Sequence, residues 1–115
     1  MAVELTDPED AKLLTLARAS RARAQTSQGA AIRDSDGRTY AATNLDLPSL
    51  ELSALQVAVA MAASSGVKGL EAALLVTEGL AVDDVDVTVV REFGGTGVQV
   101  YRADGTGEVA DVVTT

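Results

Sequence analysis

Residues 29–46 read GAAIRDSDGRTYAATNLD. At the centre of the stretch, Asp34-Ser35-Asp36-Gly37 is polar and ends in glycine, the composition of a tight turn that needs a left-handed backbone. The runs on either side, Gly29-Ala30-Ala31-Ile32-Arg33 and Arg38-Thr39-Tyr40-Ala41-Ala42, contain no proline. Together they read as a β-hairpin. Its strands are poor in β-branched residues, so the turn carries the assignment.

Upstream, Asp7-Pro8-Glu9-Asp10 has the makings of a helix start. A capping acid, a proline at the first helical position and acids in the first turn all suit unpaired backbone N–H groups. Leu13, Leu14, Ala17, Arg21 and Ala24 follow near-helical spacing, so the helix runs to about Ala24. Gln25 to Gln28 is its exit.

Downstream, Ser49 to Ser65 reads as a second helix, opened by Pro48 or Ser49 and ended by Gly66. Leu50, Leu52, Ala54, Leu55, Val57, Ala58, Val59, Met61 and Ala62 make it apolar nearly all round, with only Glu51, Ser53 and Gln56 interrupting. Such a helix is buried centrally or packed against another subunit. Leu70 to Thr77 suits an inner strand. Asp83 to Phe93 fits two patterns. Val85, Val87 and Val89 alternate as in a strand, whereas Val82, Val85, Val89 and Phe93 share a helical face that Asp83 caps. We read a helix there. Val98 to Arg102 is a strand, Ala103 to Gly107 a turn and Glu108 to Val113 a last strand or tail. Gly94-Gly95-Thr96-Gly97 lacks the Lys-Ser/Thr of a phosphate loop and reads as a helix exit. Helices interleaved with strands argue for one sheet covered on its faces.

The chain of 115 residues has the length of one domain, expected over residues 1–115. Its hydrophobic fraction of 47 % is ample for a core, but one Phe, two Tyr and no Trp leave that core to Ala, Val and Leu. Seventeen acids against nine bases give a net charge of −8, the reverse of a nucleic-acid footprint and unsuited to an anionic membrane. Arg18, Arg21 and Arg23 form the nearest thing to a basic cluster and read as a solvated helix face. The N-terminal residues show neither a basic start nor an apolar run of signal-peptide length, so the cytoplasm is expected. Cysteine and histidine are both absent.

The stretch from Gly29 to Asp46 resembles the opening of small cytidine deaminases: a Gly-Ala-Ala strand, an Asp-Gly turn and a strand ending in Asn-Val-Glu-Asn. Here the ending is Asn44-Leu45-Asp46-Leu47. The resemblance implies that Asn44 and Asp46, one methylene shorter than the family's Glu, hold the ribose hydroxyls of a nucleoside; Leu47 departs from the pattern. The family then places a buried helix that begins Cys-Ala-Glu, where the cysteine binds zinc and the glutamate carries protons. Counting back from Ser64-Ser65-Gly66, the equivalent positions are Ser53-Ala54-Leu55. A second signature, Pro-Cys-Gly-Ala-Cys, opens the third helix. Val90-Arg91-Glu92-Phe93 fits the end of that helix and sets Asp83 and Asp86 at the cysteine positions. The resemblance spans roughly residues 11 to 112 and implies a three-layer α/β/α sandwich with one mixed sheet.

Zinc lowers the pKa of its bound water to about 7, and deamination needs both that hydroxide and a proton carrier. With Ser53, Leu55, Asp83 and Asp86 at the family's positions, neither is expected, nor any cofactor. Two readings of the acids stand: Asp83, Asp86 and Ser53 hold Mg²⁺ or Ca²⁺, or Asp83 and Asp84 cap a helix and Asp86 faces water in its first turn. Asn44 likewise serves either a ribose or a turn backbone. The expected function is that of a catalytically inactive, oligomeric binding or assembly module, a dimer or tetramer. The alternative is a protein or enzyme that binds a nucleoside without zinc. No nucleic acid and no membrane are expected as partners.

Overall fold

The computed structural model describes residues 3–115; Met1 and Ala2, which the expected domain and the N-terminal reading include, lie outside the described residues. Helix α1 (Pro8–Ala24) begins where its caps say it should. Asp7 sits in extended conformation and its carboxylate accepts the N–H of Glu9 at 2.8 Å. Gln25, at φ 55°, turns the chain out of the helix in the left-handed region. The buried face is Asp10, Leu13, Ala17 and Ser20, spaced three and four residues apart.

Strands β1 (Gly29–Asp34) and β2 (Thr39–Thr43) form the expected hairpin, in register from Gly29 opposite Thr43 to Arg33 opposite Thr39. Gly37 has φ 87°, which supplies the positive angle the turn needs. Asp34 locks that turn: its Oδ1 accepts the N–H groups of Asp36 and Arg38, and its Oδ2 accepts the Tyr40 hydroxyl at 2.7 Å. Burial alone would raise the Asp34 pKa, but these hydrogen bonds hold it below its ordinary 3.8.

The next segment corrects the reading of a helix from Ser49. Leu45–Leu47 and Leu50–Leu52 are short antiparallel strands, β3 and β4, joined through Pro48 and Ser49. Helix α2 begins only at Ala54 and runs to Ser64. The reason is local. Ser53 and Gln56 form a reciprocal capping box: the Ser53 hydroxyl accepts the Gln56 N–H at 3.1 Å, and the Gln56 side chain accepts the Ser53 N–H at 2.9 Å. Before that cap the leucines alternate with a period of two, as in a strand. Of the two expectations for this helix, central burial within one chain is not met. Ala54, Leu55, Ala58, Val59 and Ala62 are buried, while Ala60, Met61 and Ala63 are exposed.

Strand β5 (Leu70–Val76), helix α3 (Asp84–Gly94), strand β6 (Gln99–Ala103) and strand β7 (Val109–Thr114) complete the chain. The segment read as a helix from Asp83 to Phe93 is thus helical, from Asp84 to Gly94. Asp83 takes the capping conformation, although its side chain makes no capping hydrogen bond. The main sheet has five strands in the order β2-β1-β5-β6-β7; β5 and β6 are parallel and the other pairs antiparallel.

Alternation along the strands builds two cores. Ala31, Ala72, Leu74 and Val76 face α1 with its Leu13 and Ala17. Ala30, Ile32, Ala73 and Leu75 face the other way and pack with Leu55, Ala58 and Ala62 of α2 and Val90 of α3. The result is the three-layer α/β/α sandwich with one mixed main sheet. Among the described residues no helix is long and apolar enough to cross a membrane.

The α1 layer lies very close to the sheet. A Cβ on Gly29 would fall 2.2 Å from the Ala17 carbonyl oxygen and 2.8 Å from the Arg21 Cβ. Backbone cannot give way as a flexible side chain can, so Gly29→Ala should push α1 off the sheet and cost about 1–3 kcal/mol or more. Urea unfolding measures this. A loss well below 1 kcal/mol would mean that α1 has room to shift.

Candidate functional site

The two helices on one face of the sheet begin at the same place. Ser53 opens α2, and Asp86 lies in the first turn of α3. The Ser53 hydroxyl donates a hydrogen bond to Asp86 Oδ1. Contrary to the reading that placed Asp86 in water, its side chain is 0 % exposed. Asp86 Oδ2 is buried and has no hydrogen-bond partner. Burial raises the Asp86 pKa and outweighs the Ser53 hydrogen bond, which lowers it; nearby Asp83 adds to the rise. Asp83 itself is exposed.

In front of Ser53 is a cleft of about 400 Å³ that brings Asn44, Asp46, Glu51, Ser53, Gln56 and Gln28 together. Asn44 is used at both ends. Its Oδ1 accepts the backbone N–H of Gln28 at 2.9 Å, and its Nδ2 donates to Asp46 Oδ2 at 2.9 Å. The Gln28 side chain in turn accepts the N–H of Ala54, the first residue of α2, at 3.1 Å. The two readings of Asn44 therefore meet in one residue, which satisfies a backbone N–H and also lines a cleft.

The structure thus brings Asn44, Asp46 and Ser53 to one cleft and sets Asp86 directly behind Ser53. It does not bring Leu55 there: that side chain is 0 % exposed and belongs to the core under α2. Gln28 and Gln56 were missed as site residues. Gln56 was legible, because Ser-x-x-Gln at positions 53–56 is the spacing of a capping box. Gln28 was not, because it reaches α2 from the far side of the hairpin. Two larger hollows, of about 590 and 760 Å³, lie along α1, beside Arg18, Arg21 and Gly105 and around Arg33 and Lys12. Neither contains these residues. The arginine face is only partly solvated, since Arg18 donates to the Gly105 carbonyl and Arg21 pairs with Glu78.

The family profile described as cytidine deaminase-like matches residues 6–107. The chain belongs to the cytidine deaminase-like family. A search among curated proteins finds no match. Among solved structures, cytidine deaminase from Burkholderia pseudomallei superposes with TM-score 0.78 at 24 % identity, over 90 % of each chain. The enzyme from Mycobacterium leprae gives 0.72 at 22 % identity over 94 % of each chain. That from Mycobacterium tuberculosis gives 0.70 at 24 % identity, over 82 % of this chain and 85 % of that one. Identities this low speak to the fold, which they share with this chain.

The residues at the helix junction do not fit the zinc that the family's chemistry implies. Zinc sites draw on thiolates, imidazoles and carboxylates, and this chain has no cysteine or histidine. The Ser53 hydroxyl already donates to Asp86 and accepts from Gln56. Asp86 lies beneath it and Asp83 is exposed, and among the described residues no group of three or more acids converges to hold a metal ion.

Proposed function

We propose that this family member is catalytically inactive as a deaminase and works in the cytoplasm as an oligomeric binding or assembly module. The observation that carries the reading is the Ser53–Asp86 hydrogen bond, which occupies the meeting point of the two helix N-termini with no thiolate or imidazole beside it. Deamination also needs a proton carrier within hydrogen-bond reach of the base, and Leu55 offers only hydrocarbon, turned into the core. The purified protein is therefore expected to release no ammonia from cytidine or deoxycytidine and to carry no stoichiometric zinc. Turnover that tracks zinc content by elemental analysis overturns the reading.

Support for assembly comes from apolar surface that the chain leaves bare. Leu47 and Leu50 on the β3–β4 hairpin are 53 % and 45 % exposed, and Met61 on α2 is 41 % exposed between Ala60 and Ala63. Small residues permit close helix approach, and closed symmetry hides such a face while the charge of −8 stays outside. Light scattering at micromolar concentration is expected to give a dimer or tetramer; a mass near 11.8 kDa removes the assembly role.

A second reading, a protein that binds a nucleoside without zinc, is favoured by one feature: Asn44 and Asp46 face the same cleft with their polar groups aligned. A nucleoside at 100 times its dissociation constant adds about 2.7 kcal/mol of stability, a clear rise in Tm. Asn44→Ala should abolish that rise. Absence of any shift at millimolar nucleoside ends this second reading.

A further inference from the structure

We infer that the Ser53–Asp86 hydrogen bond is a structural tie that fastens the N-terminus of α3 to that of α2, doing mechanically within this chain what a shared metal ion would otherwise do. The inference deepens the metal-free reading above and rests on it.

Four observations carry it. The partners are 33 residues apart in sequence and stand at the starts of different helices. Among the described residues it is the only hydrogen bond between the two helices. Helix α3 has no other side-chain fastening at its start, because Asp83 makes no capping bond. Finally, Asp86 is wholly buried with its Oδ2 unpaired, so the Ser53 hydroxyl is its only hydrogen-bond donor.

Electrostatics explain why an acid is tolerated there. Asp86 lies in the first turn of α3 and touches the residue that caps α2, so the positive ends of both helices point toward it. A metal at such a junction supplies positive charge and needs anionic ligands around it. Here the arrangement is inverted: one anionic or protonated carboxyl supplies the acceptor, and the helix ends and one hydroxyl surround it. Removing the hydroxyl leaves a buried carboxyl with no partner at all, which costs more than loss of a capping bond alone.

Ser53 also caps its own helix, so the test must separate the two roles. A double-mutant cycle with Ser53→Ala and Asp86→Ala does so by thermal unfolding. Ser53→Ala is expected to lower Tm by about twice as many degrees in the natural chain as in the Asp86→Ala background, where only the cap is lost. Equal shifts in the two backgrounds overturn the tie. Amide hydrogen exchange on Ser53→Ala gives a second readout that needs no change at Asp86. The first turn of α3 is expected to exchange about tenfold faster along with α2. Acceleration confined to α2 marks Ser53 as a cap only and overturns the inference. If Asp86→Ala does not fold, the exchange measurement alone decides. A fall in Tm of the natural protein on adding EDTA also overturns it, since a metal would then be holding the helices. Zinc-dependent turnover sinks the functional reading as well, whereas additive shifts in an inactive protein sink only the tie.

Discussion

Sheets built of alanine hold together only if their covering helices come very near. Each Ala buries little area, so the stabilisation of this core depends on many short contacts rather than a few large aromatic ones. The constraint is visible where Gly29 of β1 meets the carbonyl of Ala17 with no room for a Cβ. It repeats through Ala30, Ala31 and Ala73 in the sheet and Ala54, Ala58 and Ala62 in α2, all within the buried set. Once α1 and α2 are drawn in this tightly, the ends of the helices have little freedom. The start of α2 lands against the start of α3, and the site is a consequence of how the core packs.

That geometry turns the helix starts into the chemically charged part of the molecule. Backbone N–H groups at a helix N-terminus must find acceptors, and here side chains supply them. Ser53 serves Gln56, Gln28 serves Ala54, and Asn44 holds Gln28 in place. The same polar residues line the cleft, so its shape is braced by bonds that also start the helix. The region consists of amides, hydroxyls and carboxyls, the groups that cap helices, with no thiolate or imidazole among them.

Much of this was legible in the sequence where a local rule had no competitor. Asp7-Pro8 announced α1, and Asp34 to Gly37 announced the hairpin, because capping and turn chemistry are read from neighbouring residues alone. Residues 83–93 allowed strand or helix by valine spacing; the segment is helical, but its buried face is Asp86 and Val90, four residues apart, whereas Val85, which both patterns placed on the apolar face, is exposed. The hairpin from Leu45 to Leu52 was lost because its apolar residues run without a break into those of α2, and the signal that separates them is the Ser53–Gln56 box. The burial of Asp86 was beyond local reading. An acid in a first turn normally faces water, and only the approach of a second helix, set by the alanine packing, encloses it.

The cleft residues differ in what they have left to give a ligand. Asn44 Oδ1 is committed to the backbone of Gln28, and Ser53 is committed twice over. Breaking either would disturb the start of α2, so neither is free for exchange with a visitor. The Asn44–Asp46 bond is different, because it lies at the exposed edge and supports no helix. A ligand hydroxyl placed between them would accept from Asn44 Nδ2 and donate to Asp46, replacing one exposed hydrogen bond by two at little cost to the fold. Asn44 is held at its oxygen end by the scaffold, so its amide is already oriented for that contact. The cleft therefore presents an amide fixed at its oxygen end beside an exposed carboxylate, with the Ser53–Asp86 hydrogen bond at the helix starts behind them.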